Sequence, residues 1–257
     1  MISKKQRLDQ ILFNRNFAES KTKAQGMIMA GQVFVEGKMI NKSGFNINQE
    51  ATIEIKTLGP QWVSRGATKL LTALEKNIIS VKNKICIDLG SSTGGFTDVL
   101  IQSGAQKVYA VDVGTNQLHE KLKKNDKVIS LEKTNARYLN KEQIEELIDI
   151  MVCDVSFISL KKVIEPNLHL LKHESIIIAL IKPQFESKKN ETKKGVIKDI
   201  IIHERICNEI SEWFESIYDS KVLNIIESPI KGPKGNIEFL ITVQFKKNKT
   251  VICNSCG

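Results

Sequence analysis

Apolar residues recur along the chain at helical spacing first and at alternating helix and strand spacings later, and that change divides it. Over residues 4–16, Leu8, Ile11 and Leu12 fall on one helical face with Phe17 just beyond, while Lys4, Lys5, Arg7 and Arg15 fall mostly on the other. Ser20 caps a second expected helix, residues 21–30, whose apolar positions are Ala24, Met27 and Ile28, and Gly31 ends it. Residues 33–38 and 51–55 alternate like short strands. This predicts a small α+β domain over 1–58 and a linker over 59–64 punctuated by Gly59 and Pro60. A larger domain over 65–248 and a tail over 249–257 follow. Ser64 is placed to cap a helix over 65–75. Strands are then expected near 85–89, 108–113, 128–131, 148–155 and 176–181, with helices near 95–103, 117–124, 141–147, 160–171 and 201–217. Two closing strands, 221–227 and 237–245, complete a doubly wound α/β sheet with an antiparallel last strand.

The second domain turns on residues 84–98, Lys-Ile-Cys-Ile-Asp-Leu-Gly-Ser-Ser-Thr-Gly-Gly-Phe-Thr-Asp. A strand runs into a small-residue loop, which opens directly into a helix start at Phe96, Val99 and Leu100. Such a layout holds a nucleotide-like ligand against a helix N-terminus. Gly90, Gly94 and Gly95 lack a Cβ and let backbone and ligand approach. The spacing is not the dinucleotide fingerprint, because Ser92 stands where the middle glycine would and the acid Asp88 precedes the loop. The next strand ends in Asp112, placed to bind ribose hydroxyls. Loop and acid together fit NAD, ATP or S-adenosylmethionine.

Composition narrows the setting. Charged residues make up 26% of the 257 and hydrophobic ones 41%, the balance of an ordinary water-soluble protein. No apolar run approaches the ~20 residues that span a bilayer, so no membrane association is expected. The N-terminus leads into an amphipathic helix instead of a secretion signal. Five scattered cysteines read as reduced thiols and a cytoplasmic setting; Cys253 and Cys256, without a second pair, read as an inert tail and no metal is expected. The net charge of +9 calls for a polyanionic partner because it clusters near the N-terminus. Lys21 and Lys23 oppose the dipole of their own helix, which an anion bound there would relieve.

In an open parallel sheet, ligands bind beyond the carboxyl ends of the strands. Asp154 ends the fourth strand, Lys182 follows the fifth, and Glu238 opens the last, which reaches the same edge if it runs antiparallel. Lys69, on the helix leading into the sheet, is a fourth candidate. A cytosine-C5 methyltransferase would need a nucleophilic cysteine after a proline, and Cys153 instead precedes Asp154 within the strand. A base-amine methyltransferase would show an Asn/Asp-Pro-Pro-aromatic motif where this chain has Asp154-Val-Ser-Phe157. Two lysines with two carboxylates suit a sugar hydroxyl, which needs a base as its oxygen attacks.

Two sets of motifs carry a resemblance. Arg7-Leu-Asp, Ser20-Lys21-x-x-Ala24, Met27-Ile28 and Gly31-x-Val33-x-Val35-x-Gly37-Lys38 with Lys42 resemble an S4 RNA-binding domain. Ser64-Arg-Gly-Ala-Thr-Lys69, the glycine loop, Lys133-Thr-Asn-Ala-Arg137, Cys153-Asp-Val-Ser-Phe-Ile-Ser-Leu160, Ile181-Lys-Pro-Gln-Phe-Glu186 and Gly232-Pro-Lys-Gly-Asn-Ile-Glu238 resemble the TlyA family. That family joins an S4 domain to an FtsJ-like, Rossmann-like class I methyltransferase domain. The resemblance implies S-adenosylmethionine-dependent 2′-O-methylation of cytidine in ribosomal RNA, with ribosomal subunits as partners. It maps the catalytic set to Lys69, Asp154, Lys182 and Glu238. The cofactor contacts map to Asp88, Gly90, Ser91, Ser92, Thr93, Gly94, Gly95, Phe96, Asp112, Asn135 and Asp154. RNA contacts are expected from Lys4, Lys5, Arg7, Arg15, Lys21, Lys23, Lys42 and Arg65. A non-catalytic assembly factor and a membrane-active haemolysin, a label attached to this family, are the rival readings. A pseudouridine synthase lacks support because its catalytic aspartate motif is missing.

Overall fold

The computed structural model describes residues 5–29, 31–55, 62–188, 191–192, 195–232 and 234–247. Lys4, Gly59, Pro60, Lys193, Lys194, Cys253 and Cys256 lie outside them. The chain forms two compact units, Met1–Gln61 and Trp62–Gly257.

The first unit contains β1 (Lys5–Arg7), α1 (Leu8–Asn14), α2 (Lys21–Met29), β2 (Val33–Val35), β3 (Lys38–Met39), β4 (Asn46–Asn48) and β5 (Ile53–Ile55). Leu8, Leu12, Ala24, Ile28 and Val33 are fully buried between the helices and the β3-β2-β5 sheet. The expected helix over 4–16 is shorter than its apolar face implies. Lys5–Arg7 pairs antiparallel with Asn46–Asn48, so the polar first turn satisfies its backbone in a ladder and the helix starts at Leu8. Ser20 caps α2 as expected, its Oγ accepting the Lys23 N–H at 3.1 Å.

The second unit carries α3 (Ala67–Asn77), β6 (Ile85–Leu89), α4 (Gly95–Gln102), β7 (Lys107–Val111), α5 (Glu120–Lys123) and β8 (Val128–Leu131). It continues with β9 (Ile148–Cys153), α6 (Lys161–Ile164), β10 (Leu171–Ile181), α7 (Pro183–Glu186), α8 (Ile200–Glu215), β11 (Lys221–Glu227) and β12 (Phe239–Lys246). Seven strands lie in the order β11-β12-β10-β9-β6-β7-β8, and β12 runs antiparallel to both its neighbours. The inner strands read as unbroken apolar runs because both faces are covered. Side-chain alternation sends Ile87, Leu89, Met151 and Cys153 to the face under α6 and α8, and Cys86, Val108, Ile150 and Val152 to the face under α3 and α4. In α8, Ile206, Ile210 and Phe214 repeat at four-residue spacing and are buried.

Several expected boundaries move. Residues 141–147 do not form a helix. Only Ile144 is buried there, Leu147 is half exposed, and so short a segment cannot offset helix nucleation from one buried side chain worth about 1.5–3 kcal/mol. The helix expected over 117–124 shrinks to α5, whose first turn is capped by His119 Nδ1 accepting the Lys121 N–H. Over 160–171, α6 gives way after Ile164 to a 3-10 turn containing Pro166, which has no N–H to continue an α-helix. Strand β10 begins five residues earlier than its apolar run, at Leu171, with a register shift before Ile176. Ser64 does not cap α3, whose N-cap position is Gly66. Trp62, inside the expected linker over 59–64, packs on the core of the second unit beside α3 and α4.

Candidate active site

Register brings the chemistry to one edge. Leu89 pairs with Cys153, Ala179 pairs with Cys153 from the other side, and Ile181 pairs with Phe239. The residues immediately beyond, Gly90, Asp154, Lys182 and Glu238, therefore leave the sheet together. They line a cavity of about 590 Å³ within the second unit.

Lys69 reaches this edge from the first turn of α3, which packs through Ala67, Leu70 and Ala73. Its Nζ lies 2.8 Å from Glu238 Oε2 and 3.5 Å from Asp154 Oδ2. Lys182 Nζ lies 2.6 Å from Asp154 Oδ1 and donates to Ser156 Oγ at 2.9 Å. Asp154 thus bridges two ammonium groups, and two carboxylates balance two cations. Lys69, Lys182 and Glu238 are all buried, so neutrality of the set is what makes its burial tolerable.

The glycine loop forms the other end. Gly90 has φ +84°, and a Cβ there would sit 3.0 Å from the Asp154 carbonyl oxygen. A side chain on Gly95 would collide with Ser64 Oγ, and one on Gly94 with Leu118 and Leu122. Asp88, fully buried under the loop, accepts from the Thr97 N–H at 3.0 Å and the Thr97 hydroxyl at 2.7 Å through Oδ2. Its Oδ1 has no donor among the described residues. Burial pushes this carboxyl up to about 7, against the opposing pull of the Thr97 hydrogen bonds. A cationic or N–H-bearing group at that end of the cavity would satisfy Oδ1.

Most expected cofactor residues line the cavity: Asp88, Gly90, Ser91, Ser92, Thr93, Gly95, Phe96 and Asp154. Gly94 does not; its bare Cα admits the leucines of the α5 region. Asp112 also stands off the cavity, with Oδ2 taken by the Ser92 N–H at 2.8 Å and Oδ1 by the Gly114 N–H at 2.7 Å, so it shapes the loop. Asn135 caps a 3-10 turn through the Arg137 N–H and does not reach the cavity either. Arg65 lines the cavity in the second unit, apart from the other expected RNA contacts.

Within the first unit the basic residues divide by task. Arg7 grips Asp9, Nε at 3.0 Å and Nη2 at 2.6 Å, and holds that carboxyl down at about 2. Arg15 donates to the carbonyls of Gln49 and Ala51, tying the turn between β4 and β5 to the end of α1. Lys5, Lys21, Lys23 and Lys42 are exposed. Cys153 sits in the core, where burial pushes its thiol far above the usual range and away from nucleophilic use.

Sequence reasoning missed part of the cavity. Phe157 is 89% exposed at φ +65°, and its ring lies 5.0 Å from that of Phe185; both line the mouth. Lys231 and Lys234 also stand at the cavity, from the turn before Glu238. The signal was present: a Phe directly after Asp154-Val-Ser at the end of a strand, and lysines among glycines.

Comparison with known proteins bears on this geometry. The family model for FtsJ-like methyltransferase matches residues 62–245, and that for the S4 domain matches residues 6–53. The 16S/23S rRNA (cytidine-2′-O)-methyltransferase TlyA of Mycobacterium tuberculosis is 34% identical over 97% of this chain and 94% of its own. The chain belongs to the TlyA family. Hemolysin A of Brachyspira hyodysenteriae is 44% identical to this TlyA-family chain, over 91% of it and 98% of the relative. A solved structure described as a hemolysin from Streptococcus thermophilus shares 37% identity and a TM-score of 0.71, covering 96% of this chain and 90% of that one. As a TlyA-family member the chain is an FtsJ-like methyltransferase preceded by an S4 domain.

Proposed function

We propose that the protein transfers a methyl group from S-adenosylmethionine to the 2′-hydroxyl of cytidine in ribosomal RNA. The observation that carries this reading is the bridge of Asp154 between Lys69 and Lys182, beside Glu238, in one cavity with the glycine loop. S-adenosylmethionine, when bound, supplies the electrophilic methyl group. The loop residues Ser91, Ser92 and Thr93, which line the cavity, and the unpartnered Asp88 Oδ1 fit it: the loop would hold it at the start of α4 and Asp88 would accept from its amino group.

The chain's own groups then handle the alcohol. Lys182 relays the hydroxyl proton, its ammonium handing one proton to the Asp154 carboxylate 2.6 Å away as it takes the one released by the attacking oxygen. Asp154 fixes the Lys182 amine, with Ser156 as its second anchor. Lys69 and Glu238 hold Asp154 and the ribose, so that the field around the oxygen is set before substrate arrives. The target nucleotide must leave its stack to enter. Phe157 and Phe185 offer an aromatic face to the everted base at the mouth. Lys21, Lys23 and Lys42, with Lys231 and Lys234, supply cations for phosphates, and ribosomal subunits are the partner that presents them.

The test is a tritiated-methyl transfer assay on ribosomal subunits from cells lacking the protein, with ribose-methylation mapping of the product. Label fixed as a base methyl, or no label on ribose, overturns the reading. Two similar proteins carry hemolysin names. No helix among the described residues is long and apolar enough to cross a membrane, and dye leakage from liposomes with pure protein is the counter-test for that activity.

A further inference from the structure

The 2′-hydroxyl is common to all four nucleotides, so the lysine–carboxylate set cannot choose a base. Something else in the cavity must address the base edge if one nucleotide is preferred. The strand order β12-β10-β9-β6 puts the glycine loop at the β6 side and leaves the other side to residues that follow β10 and precede β12. That other side is the one left for substrate.

Gln184 lies there. It is the second residue of α7, two positions past Lys182, and it lines the cavity with Phe157 and Phe185. Its Oε1 is buried and has no donor among the described residues. A buried acceptor without a donor is costly, and native structures leave few of them without a reason. Two other uncharged polar groups on this side are engaged. Ser156 Oγ takes the Lys182 ammonium at 2.9 Å. The Asn236 carboxamide accepts the Ile197 N–H at 3.1 Å and donates to the Gly195 carbonyl at 3.0 Å. Gln184 is the side chain whose acceptor still needs a partner, beside two aromatic rings suited to a base.

A carboxamide carries an acceptor and a donor side by side. Cytosine presents the complementary pair on its pairing edge, the N4 amine as donor and N3 as acceptor. Uracil presents the reverse order, O4 as acceptor and N3–H as donor. We propose that Gln184 is the specificity-determining residue, taking the pairing edge of the everted cytosine with Oε1 accepting from N4 and Nε2 donating to N3. This rests on the ribose-methylation reading and adds to it the group that reads the base. Bidentate amide contacts of this kind discriminate between bases elsewhere in nucleic-acid recognition.

The experiment compares full-length wild type, Gln184→Leu and Gln184→Met on ribosomal subunits carrying cytidine or uridine at the mapped position. Wild type should favour cytidine in kcat/KM by about ten- to a hundredfold, the range a bidentate base contact supplies. Both variants should bring the cytidine-to-uridine ratio within about threefold of unity, chiefly by losing rate on cytidine. S-adenosylmethionine affinity, measured by calorimetry, should stay at the wild-type value and certifies the fold; if one variant fails that check, the other decides. A ratio that survives substitution overturns the role of Gln184 while leaving ribose methylation intact. Failure of wild type to methylate either subunit overturns the ribose-methylation reading itself.

Discussion

Asp88 shows how one buried side chain ties stability, ligand binding and pH together. Its carboxyl has an ordinary value of 3.8 and is raised to about 7 by burial in the fold. The folded state therefore holds a proton that the unfolded chain releases between these two values. Its contribution to stability is fully present below 3.8 and is lost as pH rises through about 7. Asp88→Asn should flatten that decline in thermal melts between about pH 4 and 7; an unchanged slope would place the titration elsewhere. A cationic ligand against Oδ1 favours the carboxylate, so S-adenosylmethionine binding near pH 7 should release roughly half a proton. Calorimetry in two buffers of different ionisation enthalpy reads this directly, and buffer-independent heats would count against it. Among the residues proposed to be catalytic, Lys182→Ala should lower transfer by about 10²–10⁴-fold with cofactor affinity retained, and Lys182→Arg should not rescue it, because a guanidinium cannot relay the proton. Lys69→Ala should also cost stability, about 3–5 kcal/mol, since it leaves Glu238 buried without its cation. Lys182→Ala leaves Asp154 still facing Lys69 and should cost less, a difference that denaturant melts will resolve.

At the scale of elements, the loop between β6 and α4 works because three neighbours press on it. Asp154's backbone lies under Gly90, Ser64 lies against Gly95, and the leucines around α5 lie against Gly94. The chain entering the second unit is laced to α4 as well, the Val63 N–H donating to buried Asp98 Oδ2 at 3.0 Å. Gly90→Ala would need a left-handed backbone with a Cβ 3.0 Å from the Asp154 carbonyl, moving the residue that aligns both lysines. Cofactor affinity and transfer should each fall more than about tenfold, and the strain should cost about 1–3 kcal/mol in denaturant melts. Equal activity would mean the loop and Asp154 are not coupled. The glycines and the sheet edge were legible in the sequence because spacing and strand ends are local signals. Gly94 and Asp112 were given ligand contacts, yet they face α5 and the loop backbone. Apart from Gly114, two residues from Asp112, their partners Ser92, Leu118 and Leu122 lie some 20 to 28 residues away and leave no mark in the local pattern.

For the whole molecule, the proposed function gives RNA recognition to the S4 unit and methyl transfer to the FtsJ-like unit. The exposed lysines of the first unit should set the salt dependence of ribosome binding. Lys21→Ala with Lys23→Ala should reduce the slope of log affinity against log salt by about 1–2 and leave cofactor affinity untouched. An unchanged slope in filter binding would remove α2 from the contact. By itself the sequence determined the alternation of strand and helix, the apolar strands covered on both faces, the glycine loop, the three ionisable residues at strand ends and Lys69 on the helix before the sheet. These follow from periodicities of two and 3.6 residues and from the rule that such sheets bind at their carboxyl edge. It also showed which residues carry charge, but not how each charge is used. Only the tertiary structure decided that Arg7 and Arg15 close their own unit, that residues 5–7 pair as a strand, and that Asp154 joins both lysines. Those outcomes depend on side chains and backbones distant in sequence competing for the same partners, and that competition is resolved by packing in three dimensions.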